Sequence, residues 1–393
     1  MPCSGIKALK LTHFLILLSG SSHATISNQA SALLKRIFDN LIPPSGGARF
    51  PALDGLRGLA VAGVICLHYF AIFYPKGSYL HETLCRLGST SVCIFFALSA
   101  FLLFYPWAAG KTVKVNHYYL RRFFRIMPAY LIAVAVAIPL SHHPQKIQSI
   151  LPHLFFIHSW RETWYLALPH IGPTWSLGTE VQFYLLLPVL AWLVTRKSIA
   201  FSLFALAIGC QLIFPVKDIS LWMNLPVLLL PFLAGMATAK LVAVRWSNYQ
   251  LLLAPLGLIL FAAIILLPIQ LANSSWLTLL FNARGLLASV ACLLMIWGLA
   301  SQTSTVARLL SSAPLRLAGV CGYGSFLFHQ SARGVLLLLL HNNAALSVIL
   351  GLPLTAFIAL GSYLLIEAPA MRLARKPIVL PFRRASQRLT TTP

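Results

Sequence analysis

Residues 53–70, Leu-Asp-Gly-Leu-Arg-Gly-Leu-Ala-Val-Ala-Gly-Val-Ile-Cys-Leu-His-Tyr-Phe, open the first long apolar run of the chain. Asp54 and Arg57 stand at its mouth and His68 lies deep inside it. Eleven residues at 100° per residue make three turns plus about 20°, so a helix puts Arg57 and His68 on one face, about 16 Å apart along the axis. That is roughly half of a hydrocarbon core of about 30 Å. An ionisable side chain at such depth is costly and marks a functional site by default. Imidazole suits proton transfer near neutral pH. His68 therefore reads as a general base or nucleophile, or alternatively as a core histidine bonded to a neighbouring helix.

Other chemistry-bearing residues fall into three groups. Glu180 sits in Trp-Ser-Leu-Gly-Thr-Glu-Val-Gln-Phe-Tyr, residues 175–184. It is expected a turn or so below the outer surface, with Tyr184 beside it, where it would orient His68 or hold a hydroxylated ligand. Arg121, Arg122 and Arg125 stand at the inner mouth of the third apolar run. Arg122 and Arg125, spaced i,i+3, share a face. They read as a phosphate clamp, because guanidinium pairs bidentately with phosphate, or as a topology signal touching anionic lipid. His329 is expected at a depth like that of His68, with Arg333 one turn further on, near enough to the end to snorkel. Asp54 reads as a helix N-cap and as an i,i+3 partner of Arg57, Glu367 as an anchor at the inner end of the last span. Five histidines between residues 142 and 174 (His142, His143, His153, His158 and His170) and the seven cysteines show no metal-ligand spacing; the histidines read as parts of an interfacial loop.

The elements that must position these groups are membrane helices. The 393 residues are 59% hydrophobic and 9% charged, against roughly a quarter charged in a soluble domain. Apolar stretches near twenty residues recur at about 57–75, 88–107, 126–141, 175–195, 199–216, 222–241, 250–269, 284–301, 318–340 and 346–366. The expected fold is all-α, a polytopic membrane protein of about ten transmembrane helices. The net charge of +23 does not gather on one soluble face, which excludes a nucleic-acid reading. It partitions by side instead. Lys76, Arg86, Lys146, Arg161, Lys217 and Arg284 fall on one side, Arg333 within a span, and all other lysines and arginines on the side of the N-terminus. That bias puts both termini in the cytoplasm and the protein in the cell membrane as a multi-pass chain. Residues 1–50 form an extension in which 31–42 read as an amphipathic interfacial helix, residues 51–370 the transmembrane domain, and 371–393 a basic tail.

Taken together, the motifs resemble the integral-membrane acyltransferase-3 family. The pair Arg57 and His68 matches its arginine-x10-histidine motif. Phe95-Phe96-Ala97-Leu98-Ser99-Ala100-Phe101-Leu102 resembles its second-span motif, 121–130 its arginine-rich entry, 175–184 its tryptophan-serine-leucine-x-x-glutamate stretch, and 322–329 and 363–369 its closing motifs. Ala100 departs from the glycine usual in the family. The stretch carries no fused soluble hydrolase-like domain of the kind some members have. The resemblance implies acyl-coenzyme A, usually acetyl-CoA, as donor substrate with no bound cofactor. It implies Arg57 and His68 as the essential first-span pair, with Glu180, Arg122 and Arg125 supporting.

The function expected from residues and resemblance together is transfer of an acyl group, in the first instance acetyl, from cytoplasmic acyl-CoA to a hydroxyl of an extracytoplasmic acceptor such as a surface polysaccharide or glycolipid. Arg121, Arg122 and Arg125 would bind the donor, and Asp54, Tyr184 and His329 would support. Direct attack and an acyl-histidine intermediate are both open. The partners are membrane lipids, acyl-CoA and a carbohydrate or other hydroxyl acceptor. The rival reading is a proton-coupled transporter or flippase using the same histidine and glutamate.

Overall fold

The computed structural model describes residues 50–213, 223–244, 250–266 and 275–374. The N-terminal extension and its expected interfacial helix, and nearly all of the basic tail, lie outside the described residues, as do both termini. Ten helices fall on the ten expected apolar stretches: α1 Pro51–Phe70, α2 Tyr79–Ala108, α3 Val115–Leu140, α4 Trp175–Leu193, α5 Lys197–Ile213, α6 Leu225–Ala243, α7 Gln250–Leu266, α8 Ser275–Ala300, α9 Gly322–Leu339 and α10 Ala344–Ser362. Among the described residues, seven helical segments are long and apolar enough to cross a membrane. Lys197–Ile213 and Leu251–Leu266 are apolar but shorter. The chain is an all-α, multi-pass membrane protein.

Two boundaries differ from the pattern of hydropathy. The basic stretch 108–125 is mostly helix, because α3 begins at Val115. Its arginines are compatible with a helix start that lies against a polar cavity rather than lipid. Asp54 is not an N-cap. Pro51 occupies the first turn of α1, with Phe50 at the cap, since proline lacks only an N–H that the first turn leaves free anyway. Asp54 follows as a first-turn acid, 3.5 Å from Arg57, favourable to the helix dipole.

Glycines let α1 run through the middle of the fold. A Cβ at Gly55 would overlap the Leu310 carbonyl, one at Gly319 the Asp54 carbonyl, and one at Gly63 the Ser91 hydroxyl. So backbone meets backbone between α1 and the short helix Ala313–Val320. The Ala100 departure is compensated from across the contact. A Cβ at Gly235 of α6 would overlap the Ala97 carbonyl and stand 3.0 Å from the Ala100 methyl. The small residue is on the partner helix. Phe96, Phe183 and Phe232 stack at 4.6 and 4.1 Å between centroids and join α2, α4 and α6.

Helix ends inside an apolar layer need partners for their carbonyls. The short α7 finds them on α2. Tyr79 Oη donates to Leu266 O and Arg86 Nε to Ile265 O, each at 2.8 Å. Arg86, which the sequence offered only as a topology signal, is 7% exposed and its charge suits a helix C-terminus. Ser78 and Asn343 cap α2 and α10.

Gly319→Ala is expected to lower stability by about 1–3 kcal/mol, the usual range for overpacking, whereas Gly209→Ala, with nothing among the described residues within 4 Å of the added methyl, should be neutral or slightly stabilising. Thermal unfolding of the two purified variants in detergent checks both.

Candidate functional site

Arg57 from α1, Ser99 from α2, Arg122 and Arg125 from α3, Glu180 and Tyr184 from α4, and Tyr323 and Phe326 from α9 line one cavity of about 290 Å³. Arg57 and Arg122 arrive from different helices, each about two turns from its helix start. Arg122 places its guanidinium 5.9 Å from the Tyr184 ring, and its Nε is buried with no hydrogen-bond partner among the described residues. Arg125 Nη1 lies 3.4 Å from Met371 Sδ. Arg121 faces elsewhere. It is exposed, with Nε donating to the carbonyl of His117, because one residue is a 100° turn of the helix.

Glu180 belongs to this cavity rather than to His68. Its Oε1 accepts from the hydroxyls of Ser99 and Tyr184. The acid expected on the opposite side from the arginines therefore stands among them. The reason is tertiary: the segment before α4 enters the bundle instead of staying at its surface. His170 Nε2 donates to Leu140 O at 3.0 Å, Ser331 Oγ donates to His170 O, and Ile171 is buried. The helix that carries Glu180 thus starts, at Trp175, from an already packed segment.

The partner of His68 is His329. The His68 Nδ1 to His329 Nε2 distance is 3.2 Å. His329, fully buried, has its own Nδ1 2.9 Å from Phe326 O and 3.1 Å from Ser325 O. Carbonyl oxygen only accepts, so in the neutral ring Nδ1 carries the proton and Nε2 accepts. His68 must then donate from Nδ1, consistent with its 2.9 Å contact to Val64 O. The chain of bonds leaves His68 Nε2 as an unprotonated acceptor. This follows from the hydrogen-bond network alone, through which tautomers are assigned.

Two further groups fix the pair. Tyr69 Oη donates to His329 O at 2.9 Å and lies 2.9 Å from Thr355 Oγ1, tying α1 to α9 and α10. Arg333 does not snorkel. It folds back so that Nη1 donates to His68 O, with its guanidinium 5.9 Å from the Tyr69 ring. The two sites are stacked along α9. Phe326 lines the arginine cavity, lies one turn below His329, and supplies the carbonyl that fixes the His329 tautomer.

Several residues have roles that composition did not reveal. Ser99 was visible only as part of a motif, and Tyr69, Tyr323 and Phe326 carry no charge to single them out. Glu367 is not a surface anchor. It is 1% exposed and its Oε1 accepts from Ser362 Oγ at 3.0 Å.

Two of the five histidines in the loop before α4 pack inside the protein. His153 and His158 are buried, and their rings stack at 4.2 Å and 8°. Burial pushes the His153 imidazole down to about 4; for His158, burial and then the neighbouring His153 push it down to about 3.

With this geometry in hand, the class is defined: an apolar helical bundle holding an arginine-lined cavity beneath a histidine whose ring nitrogen is set to accept a proton. The family profile described as "Acyltransferase domain" matches residues 50–367, and the chain belongs to this integral-membrane acyltransferase family. It is similar to the peptidoglycan O-acetyltransferase OatA of Listeria monocytogenes, 26% identical over 334 residues, 71% of this chain and 48% of that protein. It is likewise similar to the O-acetyltransferase OatA of Staphylococcus aureus, 26% over 320 residues, 71% of this chain and 50% of that protein. Over 166 residues, 39% of this chain and 42% of the relative, it is 31% identical to the acyltransferase MdmB of Streptomyces mycarofaciens. The chain spans about half the length of the curated relatives it matches. No solved structure matches it.

Both loop imidazoles titrate lower in the fold than the ordinary histidine value near 6.5, so their stabilising neutral state is present above pH 6.5 and is lost as pH falls below it. At pH 5 the loss should be about 2 kcal/mol for each histidine. Thermal unfolding at pH 7.5 and pH 5 checks this: the acid-induced drop should shrink in His158→Phe, which keeps an aromatic ring in the stack.

Proposed function

We propose that this chain is a membrane O-acyltransferase that moves an acetyl group from acetyl-coenzyme A to a hydroxyl of an extracytoplasmic carbohydrate. The observation that carries the reading is the convergence of Arg57, Arg122 and Arg125 on one cavity one turn of α9 below the His68–His329 pair. Three guanidiniums against the single carboxylate of Glu180, with Asp54 already paired to Arg57, leave excess positive charge. That suits the phosphates of a nucleotide thioester. The height from Arg57 to His68 suits a donor with a long arm between its phosphates and its reacting carbonyl. Glu180, held by Ser99 and Tyr184, keeps the arginines from being purely repulsive toward one another.

In the reaction, His68 Nε2 takes the proton of the acceptor hydroxyl as the oxygen bonds to the thioester carbonyl carbon. The carbon–sulfur bond breaks with its electron pair on sulfur, and the proton held by His68 neutralises the thiolate. His329 keeps His68 in the tautomer that can do this and stabilises the imidazolium by accepting its Nδ1–H. Two of the relatives are described as O-acetyltransferases, one of peptidoglycan, which makes a carbohydrate hydroxyl the first acceptor class to test.

Membrane vesicles given acetyl-labelled acetyl-CoA and a glycan acceptor should transfer label. His68→Ala should lose roughly 10²–10⁴-fold, the usual contribution of a general base; transfer at the wild-type rate would overturn the assignment. Arg57→Lys, which keeps charge but not fork geometry, should raise the KM for donor more than it lowers kcat. His329→Ala should lower kcat with little change in KM, and His329→Gln, whose amide oxygen can accept the His68 Nδ1–H, should recover part of the loss.

A further inference from the structure

A second cavity of about 290 Å³ adjoins the first on the outer flank of α3 and α4. Its wall is Tyr119, Phe123 and Met127 from α3 with Val181 and Leu185 from α4, and the buried Phe156 from the loop before α4 completes it. Phe123 and Leu185 are 54% and 59% exposed, so the groove opens sideways on the surface that faces hydrocarbon. Arg122, Ile126 and Tyr184 belong to both cavities. Among the described residues, Arg122 is the one charged side chain lining this groove, and its buried Nε meets no hydrogen-bond partner.

Phe156 is held against its preference. Its φ is +58°, a region uncommon for non-glycine residues and strained for a bulky one. Its ring stacks on Tyr130 at 4.7 Å, and its carbonyl accepts from Gln182 Nε2 at 3.2 Å. This part of the wall is therefore a built surface, anchored from both helices.

We propose that this groove is a binding site for an anionic phospholipid. One acyl chain lies between α3 and α4 toward Phe156, and the phosphodiester meets the Arg122 guanidinium. A groove that opens to lipid is filled by lipid by default; the cation at one end selects the headgroup. An unpaired N–H in an apolar wall costs free energy that a phosphate oxygen restores with a charge-assisted bond. The polarity also fits. Arg122 lies near the start of α3 and Met127 further along it, so the headgroup sits toward the helix end and the chain toward the middle of the span. Arg122 borders both cavities, so a lipid phosphate here competes with the donor phosphates of the proposed reaction for one guanidinium; the test below reads lipid retention alone and so fails or succeeds separately from the acyl-transfer reading.

Native mass spectrometry of the full chain, released from detergent after equilibration with phosphatidylglycerol or phosphatidylcholine at equal concentration, tests it. Wild type should retain one phosphatidylglycerol in preference to phosphatidylcholine. Val181→Trp, which fills the groove, should cut that retention by roughly tenfold, while Leu206→Trp on the lipid-facing side of α5 should not. Met127→Trp serves as the second filling variant should Val181→Trp fail to fold. Arg122→Gln should abolish the preference between the two lipids. Equal retention of both lipids by wild type, or undiminished phosphatidylglycerol retention in a folded groove-filling variant, would overturn the proposal.

Discussion

Keeping three guanidiniums inside an apolar bundle is the constraint on which the rest of this structure depends. A charge at such depth is tolerated only where it faces a polar cavity or a partner. The fold supplies both. Asp54 pairs with Arg57, Glu180 stands in the same cavity, and Tyr184 offers its ring face to Arg122. The side chains of Ser99 and Tyr184 in turn satisfy the Glu180 carboxylate.

Close backbone contact makes this arrangement tight enough to matter. Gly55, Gly63 and Gly319 bring α1 against its neighbours without a methyl between them, and Gly235 does the same for α2 and α6. Without a hydrophobic drive between helices in lipid, such small-residue contacts carry the association. They also fix the rotation of α1, which decides that Arg57 faces the cavity and that His68 faces α9. Tyr69, adjacent to His68, locks the same rotation by bonding to α9 and α10.

The helices were legible in the sequence because twenty-residue apolar runs have few alternative explanations. The shared face of Arg57 and His68 was legible because helix geometry fixes it. The pairing of His68 with His329 was not, since it joins residues 261 positions apart. Counting along its apolar run could not show that Glu180 shares a cavity with Arg57, Arg122 and Arg125, because the packing of α4 against α2 and α3 brings them together. The arginine cluster was visible, but the split between Arg121, exposed, and Arg122 and Arg125, inward, needed the rotation of α3. The buried histidine stack at 153 and 158 was invisible, since a polar loop gives no periodic signal of burial.

By itself the sequence determined the class of the fold and the spacing of Arg57 and His68, and it singled out candidate residues by type, all consequences of local composition and of 3.6 residues per turn. Only the tertiary structure decided which of those residues meet. Glycine contacts and aromatic stacking set the rotation and depth of each helix, and these choose His329 over Glu180 as the partner of His68. They also leave its Nε2 as the nitrogen free to accept a proton.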